Sequence, residues 1–90
     1  MLTPIRSSKF KKDIKKLQKR GKDMEKLKKA ILYLINEQAL PPTYRNHILS
    51  GDWSGYYDLH LEPDWLLLYK ITDMELHLAR TGSHSDVFKK

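Results

Sequence analysis

The chain changes its hydrophobic period near residue 47, and the two halves predict different elements. Phe10, Ile14 and Leu17 recur at i, i+4 and i+7 among lysines, the pattern of a helix with a narrow apolar stripe. Ser7 or Ser8 can cap its start, since a serine hydroxyl accepts a bond from an orphan amide of the first turn, and Gly21 ends it. Asp23 caps a second helix with the stripe Met24, Leu27, Ile31, Leu34 and Ile35, expected to run to about Glu37 before Leu40-Pro-Pro stops it. The short Arg20-Gly-Lys connection folds the two into an antiparallel helical hairpin. Ahead of them residues 2–6, with Pro4 among them, suit an edge strand.

From His47 onward apolar and polar positions alternate. Trp53, Gly55, Tyr57, Leu59 and Leu61 fall on one face and Tyr56, Asp58, His60 and Glu62 on the other, provided no bulge intervenes. Glu62-Pro-Asp turns the chain into Trp65-Leu-Leu-Leu-Tyr-Lys-Ile, whose nearly continuous apolar run predicts a central strand covered on both faces. Thr72-Asp-Met turns it again. Residues 75–81 make a last strand with Leu76 and Leu78 inward, Gly82 breaks it, and residues 83–88 form a loop or one helical turn, with Lys89 and Lys90 frayed. Two helices followed by an antiparallel meander give an α+β layer.

Ninety residues with 40% hydrophobic content suit one domain over 1–90 and not two. There is no apolar run long enough to span a bilayer, and the N-terminus lacks the basic-then-apolar order of a secretory signal, so a cytoplasmic protein without membrane contact is expected. The absence of cysteine removes disulfides and thiolate metal sites and agrees with a reducing compartment. The net charge of +6 is uneven: residues 1–30 carry twelve Lys/Arg against three acids, and residues 31–90 five against eight. A basic face of this kind, with Lys9, Lys12, Lys15, Lys16 and Lys19 on the first helix, attracts a polyanion without reading its sequence. The bland alternative is a solvated face that keeps the chain soluble.

The candidate chemistry lies after residue 46. His47, His60 and His84 fall there with Asp58, Asp64, Arg80 and Phe88. Cutting RNA without a metal needs a base for the ribose 2′-hydroxyl, an acid for the leaving 5′-oxygen and a cation for the charge that develops at phosphorus. Histidines serve the first two roles, Arg80 with its forked guanidinium the third, and Phe88 or Tyr56 can stack on a base. His60 and Asp64, on either side of a tight turn, are expected to pair, the carboxylate orienting the imidazole, with Asp58 on the same face as His60. His77 has the opposite strand parity from Leu76 and Leu78 and is left out. A metal site is the rival use of the same side chains, but no His-x-x-x-His pair supports it, and neither a metal nor another cofactor is expected.

The segment from Asn46-His-Ile-Leu-Ser-Gly-Asp-Trp through His60-Leu-Glu-Pro-Asp-Trp, with Arg80-Thr-Gly-Ser-His-Ser-Asp-Val-Phe near the end, resembles the YafQ branch of the RelE/ParE toxin superfamily. The resemblance runs over nearly the whole chain. It implies a RelE-like α+β fold, the helical hairpin packed on a small curved antiparallel sheet. It also implies a type II toxin that acts as a ribosome-dependent mRNA endonuclease, cuts message in the ribosomal A site by acid–base catalysis without metal, and is neutralised by a cognate antitoxin. The family's functional histidines fall on His47, His60 and His84, its acid on Asp64 and its terminal aromatic on Phe88, while Asp58 and Arg80 match positions in the same motifs. His60 with Asp64 is assigned to the base side, His84 to the acid, His47 and Arg80 to phosphate, and Asp58 to orientation. The free toxin is expected to be a monomer, and the lysine helix to bind ribosomal RNA and message. Two other readings use the same fold: a non-catalytic ParE-like inhibitor, which would need no histidine cluster, and a plain RNA-binding module.

Overall fold

The computed structural model describes residues 1–88, so the expected fraying of Lys89 and Lys90 lies outside the described residues. Strand β1 (Thr3–Arg6) leads into helices α1 (Ser8–Lys19) and α2 (Met24–Ile35). Strands β2 (His47–Ile48), β3 (Tyr57–Glu62), β4 (Trp65–Thr72) and β5 (Glu75–Gly82) and a short helix α3 (His84–Val87) follow. The caps are those the sequence offers: the Ser7 hydroxyl accepts from Phe10 N–H at 2.9 Å and the Asp23 carboxylate from Glu25 N–H at 3.0 Å. Helix α2 stops at Ile35, two residues before Glu37, which itself sits at φ 54 in the left-handed region. No helix among the described residues is long and apolar enough to cross a membrane.

The sheet order is β1-β5-β4-β3-β2. It is antiparallel except at one edge, where β1 pairs parallel with β5. That parallel pair follows from the connection, because everything between the first and last strands serves as its crossover. Pro4, which has no amide hydrogen, is tolerated there because β1 has a free edge.

Strand β4 is central and buried on both faces from Trp65 to Tyr69, as its apolar run predicts. On one face Trp65, Leu67 and Tyr69, with Leu59, Leu76 and Leu78, pack against Phe10, Leu17, Leu27, Ala30 and Leu34 of the helices. On the other face Leu66 and Leu68 are covered by Val87, with Leu49, Trp53, Ala79 and Phe88 around them. Each fully buried leucine contributes about 1.5–3 kcal/mol from removal of apolar surface from water. The second cluster therefore fixes α3 and the segment around Trp53 over the sheet. The Trp65 indole N–H donates to Thr81 Oγ1 at 3.0 Å, and that hydroxyl donates to the Leu66 carbonyl at 2.8 Å, so the large buried ring has no unpaired polar atom.

Two irregularities overturn the simple alternation. In β3, His60 pairs with Leu66 and Glu62 with Trp65, so Leu61 is an extra residue. The bulge carries Glu62 to the helix face, where it accepts from Lys22 at 2.9 Å and Lys26 at 2.8 Å and its carboxyl is held below the usual range by those two ammonium groups. In β5, Leu78 faces Tyr69 and Arg80 faces Leu68, leaving Ala79 extra. The predicted alternation from Trp53 also begins too early. Gly51-Asp-Trp53 forms a 3-10 turn, with Gly51 at φ 67 and Gly55 at φ 89, so β3 starts at Tyr57 and Trp53 packs on the face opposite Leu59.

Candidate active site

Four rings stand in a row across the second face. The centroids of His47 and His60 are 5.8 Å apart, those of His60 and His84 6.0 Å, and those of His84 and Phe88 6.3 Å. They come from three pieces of backbone. His47 lies on β2 opposite Asp58, His60 on β3 just before the bulge, and His84 opens α3, whose single turn brings Phe88 round beside it. The Phe88 N–H donates to the His84 carbonyl at 2.8 Å.

The carboxylates are distributed differently from the sequence-based expectation. Asp64, predicted to orient His60, instead meets His84: its Oδ1 accepts from His84 N–H at 2.9 Å and lies 2.6 Å from His84 Nδ1. Those hydrogen bonds, the backbone one first, hold the Asp64 carboxyl below its ordinary range. An ionised carboxylate only accepts, so Nδ1 of His84 donates and Nε2 is the free nitrogen. The reason for the exchange is the bulge and turn after His60, which swing Asp64 to the N-terminus of α3, where amide hydrogens attract a carboxylate. The partner of His60 is a backbone atom, the Arg45 carbonyl, 3.1 Å from Nδ1. A carbonyl cannot donate, so the neutral His60 ring carries its proton on Nδ1 and leaves Nε2 bare.

Asp58 is nearly buried beside His47, with His47 Nδ1 3.6 Å from Oδ1, and that oxygen has no hydrogen-bond partner. His47, Asp58 and His60 each present a ligand atom, all within 4.8 Å of one another. These three residues can hold a soft or borderline divalent metal.

Arg80 is bound by other groups: its guanidinium donates from Nε to Asp13 at 2.7 Å, from Nη2 to Asp13 at 3.1 Å and from Nη2 to the Asp86 carbonyl at 3.1 Å. Asp13 also accepts the Thr81 N–H at 3.1 Å, standing in for a missing strand partner. Asp86 in turn accepts both Nη groups of Arg20, at 2.7 and 3.2 Å, and closes a capping box with Ser83, which together hold its carboxyl far below the usual range. Gly82, at φ +149, lies so close that a β-carbon there would come within 2.8 Å of Asp86 Oδ2. Asp13, Arg20, Asp86 and Arg45 are not among the site residues expected from the sequence. The Ser83-x-x-Asp86 box and the lone acid in a lysine helix were legible signals for Asp86 and Asp13; nothing pointed to Arg45.

A fold and site of this kind, a helical pair on a mostly antiparallel sheet with a histidine row beside the short helix α3, are those of a known class of protein. The family model for the bacterial toxin of type II toxin-antitoxin systems, YafQ, covers residues 2–89. The chain is 51% identical over 83 residues, 91% of its length and 90% of the relative's, to the mRNA interferase toxin YafQ of Escherichia coli K12. Its structure matches the toxin in a crystal structure of the E. coli DinJ–YafQ complex at TM-score 0.90, with 47% identity, covering 98% and 99% of the two chains. A metal-bound toxin from Helicobacter pylori matches at TM-score 0.92, with 44% identity, covering 98% and 100%. This chain belongs to the YafQ family of bacterial type II toxins.

Proposed function

We propose that this toxin, an mRNA interferase and so an endoribonuclease, cuts translated message in the ribosomal A site, with His60 as base and His84 as acid. The observation that carries the reading is the ring row, in which Nδ1 of His60 meets a carbonyl and Nδ1 of His84 a carboxylate, so that Nε2 of each ring is left for substrate. Nε2 of neutral His60 takes the proton of the ribose 2′-hydroxyl, the 2′-oxygen forms a bond to phosphorus, and the bond to the 5′-oxygen breaks. Nε2 of the His84 imidazolium gives its proton to that leaving oxygen, and a 2′,3′-cyclic phosphate remains. His47 contacts phosphate, Phe88 stacks on a base, and Asp58 orients His47. The test is purified toxin with message, alone and on programmed ribosomes. Cuts phased within the codon on ribosomes only are expected, and equal cutting of free message would remove the ribosome from the account.

The exposed row Lys9, Lys12, Lys15, Lys16 and Lys19 on α1 is assigned to sequence-blind docking on ribosomal RNA or message. Reversing Lys12, Lys15 and Lys16 to glutamate is expected to weaken ribosome binding by at least roughly tenfold at low salt. Pelleting with ribosomes measures it, and unchanged binding contradicts the assignment. A monomeric toxin before neutralisation and a cognate antitoxin, as DinJ is to the E. coli relative, complete the reading.

A second reading has its own support. The orphaned Asp58 Oδ1 and the nearby nitrogens of His47 and His60 fit a metal ion, and the H. pylori relative is a metal-bound toxin. In this toxin such an ion would occupy the base and so inhibit. Added Cu²⁺ or Zn²⁺ is expected to suppress cleavage and a chelator to restore it; stimulation by metal would reverse the assignment.

A further inference from the structure

The proposed cleavage needs a positive charge at the scissile phosphate beyond the contact given to His47, and four arginines and lysines of this part of the molecule are held by carboxylates. Arg80 is held by Asp13, Arg20 by Asp86, and Lys22 and Lys26 by Glu62. Arg45 differs from all of these. It is exposed, and no carboxylate among the described residues lies within 4.0 Å of it.

Its backbone is also set in an unusual way. A 3-10 turn, Pro42–Tyr44, ends with Arg45 at φ 44 and ψ 58, a left-handed conformation that side chains with a β-carbon rarely adopt. The turn is held by the Arg45 N–H donating to the Pro42 carbonyl at 3.1 Å, and it directs the Arg45 carbonyl at His60 Nδ1. Strand β2 pairs only with Asp58 and Tyr57, so the edge of β3 from His60 to Glu62 is left open to this turn. Between them lies a recess of about 200 Å³ lined by Thr43, Arg45, His60, Leu61, Glu62 and Pro63. Its one carboxylate, Glu62, is already neutralised by Lys22 and Lys26. The remaining polar lining is a hydroxyl, an imidazole and a guanidinium, a set that suits an anion.

We propose that Arg45 binds the scissile phosphodiester through its guanidinium and offsets the charge that develops there, while its carbonyl holds the base, His60. This rests on the acid–base reading of the histidine row. One residue thereby ties the position of the base to that of the phosphate: the turn aims the Arg45 carbonyl at His60, and Arg45 and His60 line the same recess.

The experiment compares Arg45→Gln and Arg45→Lys with the parent, beside His60→Ala and His84→Ala, in single-turnover cleavage of message on programmed ribosomes. All Arg45 variants keep the carbonyl and a β-carbon in the same turn, and the side chain is exposed, so thermal melting should be unchanged. Arg45→Gln is expected to lower the maximal rate about a hundred-fold with a smaller change in half-saturation, as for loss of a charge-stabilising donor. Arg45→Lys should recover most of that rate. A glutamine variant within about threefold of the parent, while the histidine variants are dead, overturns the role of Arg45 alone. A lysine variant as slow as glutamine overturns the charge assignment. Full activity in both histidine variants overturns the acid–base reading and this inference with it.

Discussion

Replacing His84 with alanine is expected to lower the maximal rate of message cleavage by about a thousand-fold, within the range for loss of a general acid. The fold should survive, because the imidazole is more than half exposed and the bond holding the start of α3, from Phe88 N–H, goes to the His84 carbonyl. His60→Ala should cost as much, since it removes the base, and the double variant should be little slower than either single one because acid and base act as a unit. Asp64→Asn separates orientation from charge. An amide oxygen can still accept from His84 N–H and Nδ1, but it cannot balance an imidazolium, so a loss much smaller than that of His84→Ala is expected. Single-turnover rates on ribosome-bound message measure all four. If the His84 variant cuts within tenfold of the parent, the acid lies elsewhere.

The largest effect on stability is expected away from the histidines, at Asp13. Its two oxygens accept from Arg80 Nε, Arg80 Nη2 and Thr81 N–H, and the side chain is only 8% exposed. Asp13→Ala leaves a largely enclosed guanidinium with only the Asp86 carbonyl to bond and a buried amide hydrogen with no partner, at a cost of about 3 kcal/mol. In a domain of this size that is a fall in Tm of roughly 15 °C. Lys16→Ala, whose ammonium is 3.8 Å from Asp86 and half exposed, should change stability by less than about 0.5 kcal/mol. Equal melting of the two variants would contradict the buried network. Asp86 adds a pH dependence with a definite sign. Its folded pKa is depressed, chiefly by Arg20, so its contribution is complete above the ordinary carboxylate range and shrinks as pH falls below about 4 toward the depressed value. Asp86→Asn should flatten that acid limb.

The residues that could be read from sequence are those whose role is local. Ser7 and Asp23 cap helices by contacts two or three residues away, and the apolar run from Trp65 needed only the knowledge that both faces would be covered. The three histidines and Phe88 were found by their type and motif, and the sheet brings them together. What could not be read depends on register. A single extra residue at Leu61 moves Glu62 to the helix face and sends Asp64 to His84, and no alternation rule announces where a bulge falls. Arg80 was expected at phosphate because arginine suits it; that its guanidinium is also bound by Asp13, a residue 67 positions away, could not be read. Arg45 escaped notice because its contribution to His60 is a carbonyl, which every residue has.

The central claim is that the 2′-oxygen, activated by His60, attacks phosphorus. The chemistry of the cut ends tests it most directly. Message cleaved by the purified toxin on ribosomes, with a chelator present, should carry a 2′,3′-cyclic phosphate on the upstream fragment and a 5′-hydroxyl on the downstream one. A 3′-hydroxyl facing a 5′-phosphate would mean that water is the nucleophile, and would contradict the account.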